Sequence, residues 1–140
     1  MDKKAYIKIK NVQTFEDDKD ITELTTVGRY NASCGEFVIS YDDTQTTGFE
    51  GSTTVLNVDK NGCVVMRRNG TSNSNLIIEG GKKHHCHYGT PYGEMMMGID
   101  TEKVVCNLGS NGGELYFKYT IDINSLFMSE NEIFITVEEA

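Results

Sequence analysis

The sequence of 140 residues has no tryptophan, a single proline and three histidines, all between positions 84 and 87, and each scarcity closes off a class of protein. One proline in 140 residues rules out proline-rich linkers and tracts. No stretch approaches 18 consecutive apolar residues, so no membrane-spanning helix is expected. The patterns G-x-S-x-G, G-x-G-x-x-G, G-x-x-x-x-G-K-[ST] and H-E-x-x-H are all missing. Their absence removes the common signatures of acyl transfer, dinucleotide binding, phosphate cradling and zinc proteolysis. The four cysteines, Cys34, Cys63, Cys86 and Cys106, form no C-x-x-C pair and read as isolated thiols rather than a zinc ribbon or redox motif. Positive charge is also short. Thirteen Lys and Arg stand against 21 Asp and Glu, a net charge of -8 with a pI near 4.8. That field repels phosphate backbones and anionic lipid, so neither nucleic acid nor membrane is an expected partner. The N-terminal Met1-Asp2-Lys3-Lys4 lacks the apolar core of a signal peptide. Together with the unpaired thiols, this gives the expectation of a cytoplasmic protein.

What is abundant points to sheet. Fourteen Gly, 14 Thr, seven Tyr and six Phe accompany many Val and Ile, residues that suit pleated surfaces broken by turns. From Ala5 onward the apolar period is 2 almost throughout, and helix is essentially absent. The clearest strand sets Leu115, Phe117, Tyr119, Ile121 and Ile123 on one face against Glu114, Tyr116, Lys118, Thr120 and Asp122 on the other. The pattern predicts strands over 5–13, 21–30, 36–41, 50–58, 63–68, 75–79, 84–88, 94–99, 103–108 and 113–123, with a last one ending near Val137. Turn chemistry separates them, as at Asp59-Lys60-Asn61-Gly62, Gly80-Gly81 and Gly109-Ser-Asn-Gly-Gly113. The acidic run Glu16-Asp17-Asp18-Lys19-Asp20 reads as a solvated loop. So many short antiparallel strands in one domain, residues 1–140, call for a closed barrel or a sandwich, because open edges template aggregation.

Several stretches carry a more specific signal: Glu50-Gly-Ser-Thr-Thr54, Arg67-Arg-Asn-Gly70, Gly80-Gly-Lys-Lys-His84, Tyr88-Gly-Thr-Pro-Tyr-Gly93 before Met97-Gly98, and the closing Ser129-Glu-Asn-Glu132. Over nearly its whole length the chain resembles the YwiB-like family of calycin-like β-barrel proteins. The resemblance implies an all-β fold, a single antiparallel lipocalin-like barrel of about 8–10 strands, in a small bacterial cytoplasmic protein. The family is one of unknown function and brings no catalytic residues.

Candidate sites must therefore come from the residues. Arg67 and Arg68 are neighbours on a strand and point to opposite faces, parity sets Arg68 with Val64 and Met66, and whichever of the two turns inward needs a carboxylate or a ligand anion; Glu50 is a possible structural partner. The turn Tyr88 to Gly93 holds the one proline between two glycines, either as a rigid corner or as a barrel rim on which Tyr88, Thr90 and Tyr92 orient a ligand. Met95 or Met97 and Phe117 or Tyr119 would supply the apolar wall. His85 and His87 share one strand face and could reach one metal ion, but no third ligand stands out. Lys82, Lys83 and the histidines could otherwise hold an anion or simply form a charged hairpin tip. Asn57-x-Asp59-x-Asn61-Gly62 mimics half a calcium loop, yet Arg68 falls where its bidentate acid belongs, so a β-turn is expected. No catalytic residue or cofactor is expected. The leading expectation is a non-catalytic binder of a small apolar or amphipathic ligand inside the barrel, with Arg68, Tyr88, Thr90, Tyr92, Met97 and Tyr119 at the site. Two alternatives stand beside it: a protein-interaction or homodimerising module acting through outward Tyr6, Tyr116 and Phe134, and metal binding at His85 and His87. The protein itself would be a monomer or homodimer.

Overall fold

A computed structural model describes residues 3–42, 51–70, 73–90, 93–123 and 126–140, with side chains placed for all of these except 73–74, 87–90 and 93–95. Among the described residues, ten antiparallel strands run β1 Lys3–Thr14, β2 Lys19–Ser33, β3 Glu36–Asp42, β4 Ser52–Val58, β5 Val64–Gly70, β6 Asn73–Ile78, β7 Lys83–Thr90, β8 Gly93–Gly109, β9 Gly112–Ile123 and β10 Leu126–Glu139. Each pairs with its neighbours in sequence, and β10 returns to β1, so the sheet closes into a barrel rather than a sandwich. Closure joins the first and last strands through ten consecutive residue pairs, Ala5 opposite Glu139 to Thr14 opposite Glu130. Closure thus leaves neither β1 nor β10 as an open edge. The thinnest seam lies between β6 and β7, which share two residue pairs, Asn73 with Gly89 and Ser74 with Tyr88. Beyond them the Ile77 N–H donates to Cys86 Sγ at 3.4 Å.

Eleven expected strands become ten. The segments 94–99 and 103–108 are one strand, β8, because the polar Asp100-Thr101-Glu102 is a bulge and not a turn. The register against β9 shifts between Thr101 and Lys103. Glu102 and Lys103 consequently both face outward, while Thr101 is buried. The extra outward residue is used: Lys118 Nζ lies 3.3 Å from Glu102 and 2.7 Å from Glu130. The acidic run is shorter as a loop than expected, with Lys19 and Asp20 already in β2. Residues 59–63 form a turn in which Asp59 Oδ1 accepts the N–H groups of Asn61 and Cys63, both at 2.9 Å.

Alternation decides what fills the barrel. Ala5, Ile7 and Ile9 of β1, Ile39 of β3, Leu56 and Val58 of β4, Leu115 and Phe117 of β9 and Ile135 and Val137 of β10 all point in and are buried. The end formed by the first residues of β1 and the last of β10 is packed shut. Tyr30 is 1% exposed there, stacks near Phe37 with ring centroids 6.3 Å apart, and donates from Oη to the Gly109 carbonyl at 2.6 Å. Gly28 lacks a side chain where a Cβ would run into the Ser40 carbonyl and Ile7, so β2 and β3 meet closely beside this plug.

The inward and outward faces of the sheet should respond very differently to truncation. Phe117→Ala empties a fully buried site and should lower unfolding stability by about 3–5 kcal/mol. Phe134→Ala, on an outward residue 40% exposed against Tyr116, should cost no more than about 1.5 kcal/mol. Urea titration of both variants checks this; equal losses would mean the alternation is wrong.

Candidate functional site

The other half of the barrel lies toward the last residues of β1, β3, β5, β7 and β9, and there the described side chains leave space. A cavity of about 360 Å³ opens there, within the roughly 300–1,000 Å³ range of small-molecule sites. Its floor is aliphatic: Ile9, Leu24, Leu56, Met66, Leu76 and Ile133 line it, and each is at most 9% exposed. Tyr30 and Phe117 are the large, fully buried aromatics of the closed half.

Polar groups gather nearer the open end, in two cross-strand rows. Tyr41 of β3 faces Thr54 of β4, which faces Arg68 of β5, and Arg68 Nε donates to Thr54 Oγ1 at 3.1 Å. On the opposite wall Tyr119 of β9 faces Asn131 of β10, which faces Gln13 of β1. The two rows sense each other. Burial pushes the Tyr119 hydroxyl up to about 12, the Arg68 charge opposes that rise and Tyr41 adds to it. Tyr119 also stacks beside Phe117, centroids 5.9 Å apart, which ties the polar row to the packed half. Buried Ser129 accepts hydrogen bonds from two amides, Gln13 Nε2 at 3.3 Å and Asn131 Nδ2 at 3.1 Å. One row deeper, Asn11 lines the cavity, and its buried Oδ1 has no hydrogen-bond partner among the described residues.

Three of the nominated ligand-site residues, Arg68, Met97 and Tyr119, come from different strands to this one cavity. The side chains of Tyr88 and Thr90, and Tyr92 altogether, lie outside the described residues, as does Glu50. Asn11, Gln13, Tyr41 and Asn131 were not anticipated. Inward parity was their sequence signal, but amides inside a strand read as turn formers.

The histidine segment goes elsewhere. His85 is exposed and the His87 side chain lies outside the described residues, while His84 Nε2 sits 2.9 Å from Glu79 Oε1. Lys82 pairs with Glu79 at 3.1 Å and Lys83 with Asp122 at 2.7 Å. These partners hold the Glu79 carboxyl below its ordinary range, the His84 hydrogen bond contributing most. Among the described residues no group of three His, Cys, Asp or Glu side chains is placed to hold a metal ion.

With this geometry in view, a family described as a domain of unknown function, DUF1934, matches residues 7–135. The chain belongs to that family. Its fold is similar to the crystal structure of the ywiB protein from Bacillus subtilis, with a TM-score of 0.86 and 18% identity over 99% of this chain and 93% of that one. No curated protein matches the chain.

The buried Tyr119 gives the site an alkaline signature. Its hydroxyl stays protonated in the folded chain up to about pH 12 but ionises near 10 when unfolded. Between those values the unfolded chain binds fewer protons, so stability is intact below pH 10 and falls as pH rises toward 12. Tyr119→Phe should remove up to about 3 kcal/mol of that fall, at 1.36 kcal/mol per pH unit. Denaturant midpoints from pH 9 to 11.5 measure it; an unchanged slope would place the Tyr119 hydroxyl in water.

Proposed function

We propose that this DUF1934 protein is a non-catalytic binder of a small amphipathic molecule, held in the open half of the barrel with its apolar body on the aliphatic floor. The observation that carries this reading is the division of the interior, packed at one end and hollow at the other, with polar groups concentrated near the opening. Small-molecule sites combine an apolar lining with a few polar groups that fix orientation, and Arg68, Tyr41, Tyr119 and the two amides are such groups. Tyr88, Thr90 and Tyr92 belong to the proposal as the rim. A location in the cytoplasm goes with it, supported by four free thiols. Among the described residues no helix is long and apolar enough to cross a membrane. The barrel faces charged residues such as Lys8 and Glu114 outward and apolar ones inward, the reverse of a lipid-facing barrel.

A second reading, self-association through the outer face, draws on Val105, Tyr116 and Phe134, which stand in register on β8, β9 and β10. It is the weaker one because charge frames the row. Tyr116 Oη donates to Glu132 at 2.8 Å and Lys103 Nζ sits 5.5 Å over the ring. Sedimentation equilibrium separates the two: a monomer across the concentration range removes the second.

The methionines provide internal reporters. Met66 and Met97 line the cavity, while Met96 and Met128 are 45% and 48% exposed. In protein carrying ¹³C-methyl methionine, 2-naphthol should shift the Met66 and Met97 signals saturably and leave Met96 and Met128 in place. Leu24→Trp, which fills the floor, should abolish the effect. Shifts confined to the exposed methionines, or none at all, would refute ligand binding in the interior.

A further inference from the structure

The wall formed by β1 and β10 is built to accept hydrogen bonds. Gln13 and Asn131 both direct their amide N–H groups to Ser129 Oγ, at 3.3 and 3.1 Å. Each planar amide therefore has its carbonyl oxygen pointing elsewhere, and an amide oxygen only accepts. Asn11 adds a third carbonyl, beside the aliphatic floor: opposite Ile133 on β10 and two pairs inward from Gln13 opposite Asn131. Its Oδ1 is buried and has no donor among the described residues. A buried acceptor left without a donor is costly, and a donor group brought into the cavity would relieve that cost. Leucine at this inward position would serve the empty barrel better. The terminal torsion of asparagine is soft, so Oδ1 can turn to meet a group in the cavity without moving β1.

Resting on the ligand-binding reading above, we infer that the ligand carries a hydroxyl or N–H donor within its apolar portion, and that Asn11 selects for it. A plain hydrocarbon chain, or a molecule offering only ether or ester oxygens, would leave Asn11 as it stands in the empty barrel. A site built to hydrogen-bond a substrate group discriminates against the analogue lacking it far more sharply than an apolar wall does.

The test uses two probes of one ring system, 2-naphthol, which donates, and 2-methoxynaphthalene, which only accepts. Their affinities are read from the Met66 and Met97 methyl signals in the native protein and in Asn11→Leu. The ratio of naphthol to methoxynaphthalene affinity should fall about tenfold in Asn11→Leu, the worth of one net hydrogen bond, while both probes still bind. The variant should melt no lower than the native protein, since it loses only an unsatisfied acceptor. An unchanged ratio overturns the donor inference and leaves interior binding standing. If neither probe reaches Met66 or Met97 in the native protein, interior binding fails and this inference falls with it. A marked drop in the melting temperature of Asn11→Leu would make Asn11 a structural residue and overturn its role as a selector.

Discussion

Closure of the sheet governs everything else in this molecule. Once β10 pairs with β1, every second residue of ten strands is delivered into one shared cylinder, and the sizes of those residues decide whether the cylinder is solid or hollow. Hydrogen bonding between strands fixes the wall, and side-chain length fixes the contents. Tyr30 and Phe117 reach far enough to close one half, with Ile7, Ile39, Val58, Val64 and Val137 packed around them. Across the other half the inward positions carry Leu, Ile and Met with Tyr41, Arg68, Tyr119 and three amides, and a cavity stays between them.

The same closure explains why the polar groups lie where they do. Gln13 and Ser129 are 116 residues apart in sequence and become hydrogen-bonded neighbours only because the first and last strands meet. The row Tyr41, Thr54 and Arg68 is assembled locally by consecutive hairpins, whereas the row Gln13, Asn131 and Tyr119 needs the whole ring. An amphipathic chamber results, with an apolar floor against the packed half and hydrogen-bonding groups toward the opening. Likeness to the ywiB protein at 18% identity extends to the fold alone, so the chemistry of the chamber has to be argued from these side chains.

Alternation was the legible part of the sequence. That Arg67 and Arg68 face opposite ways was legible, but which one turns in was not until Val64 and Met66, on the parity of Arg68, proved buried; Met97 and Tyr119 follow from parity on their own strands. Two things were hidden. At β8, Asp100-Thr101-Glu102 looks like a polar break, because a bulge adds one residue and reverses the parity beyond it; only the partner strand shows that pairing continues. The amide wall was hidden for a different reason. Asn11, Gln13 and Asn131 are poor strand formers by composition, and their value to a site comes from neighbours more than a hundred residues away.

The division of the interior into a packed half and a hollow half is the central claim, and xenon tests it most directly, because the gas enters apolar cavities that side chains leave unfilled. Crystals of the protein under xenon pressure should show xenon density among Leu24, Leu56, Met66 and Ile133 and none between Tyr30 and Phe117. An interior without xenon in which side chains meet across both halves would contradict the account.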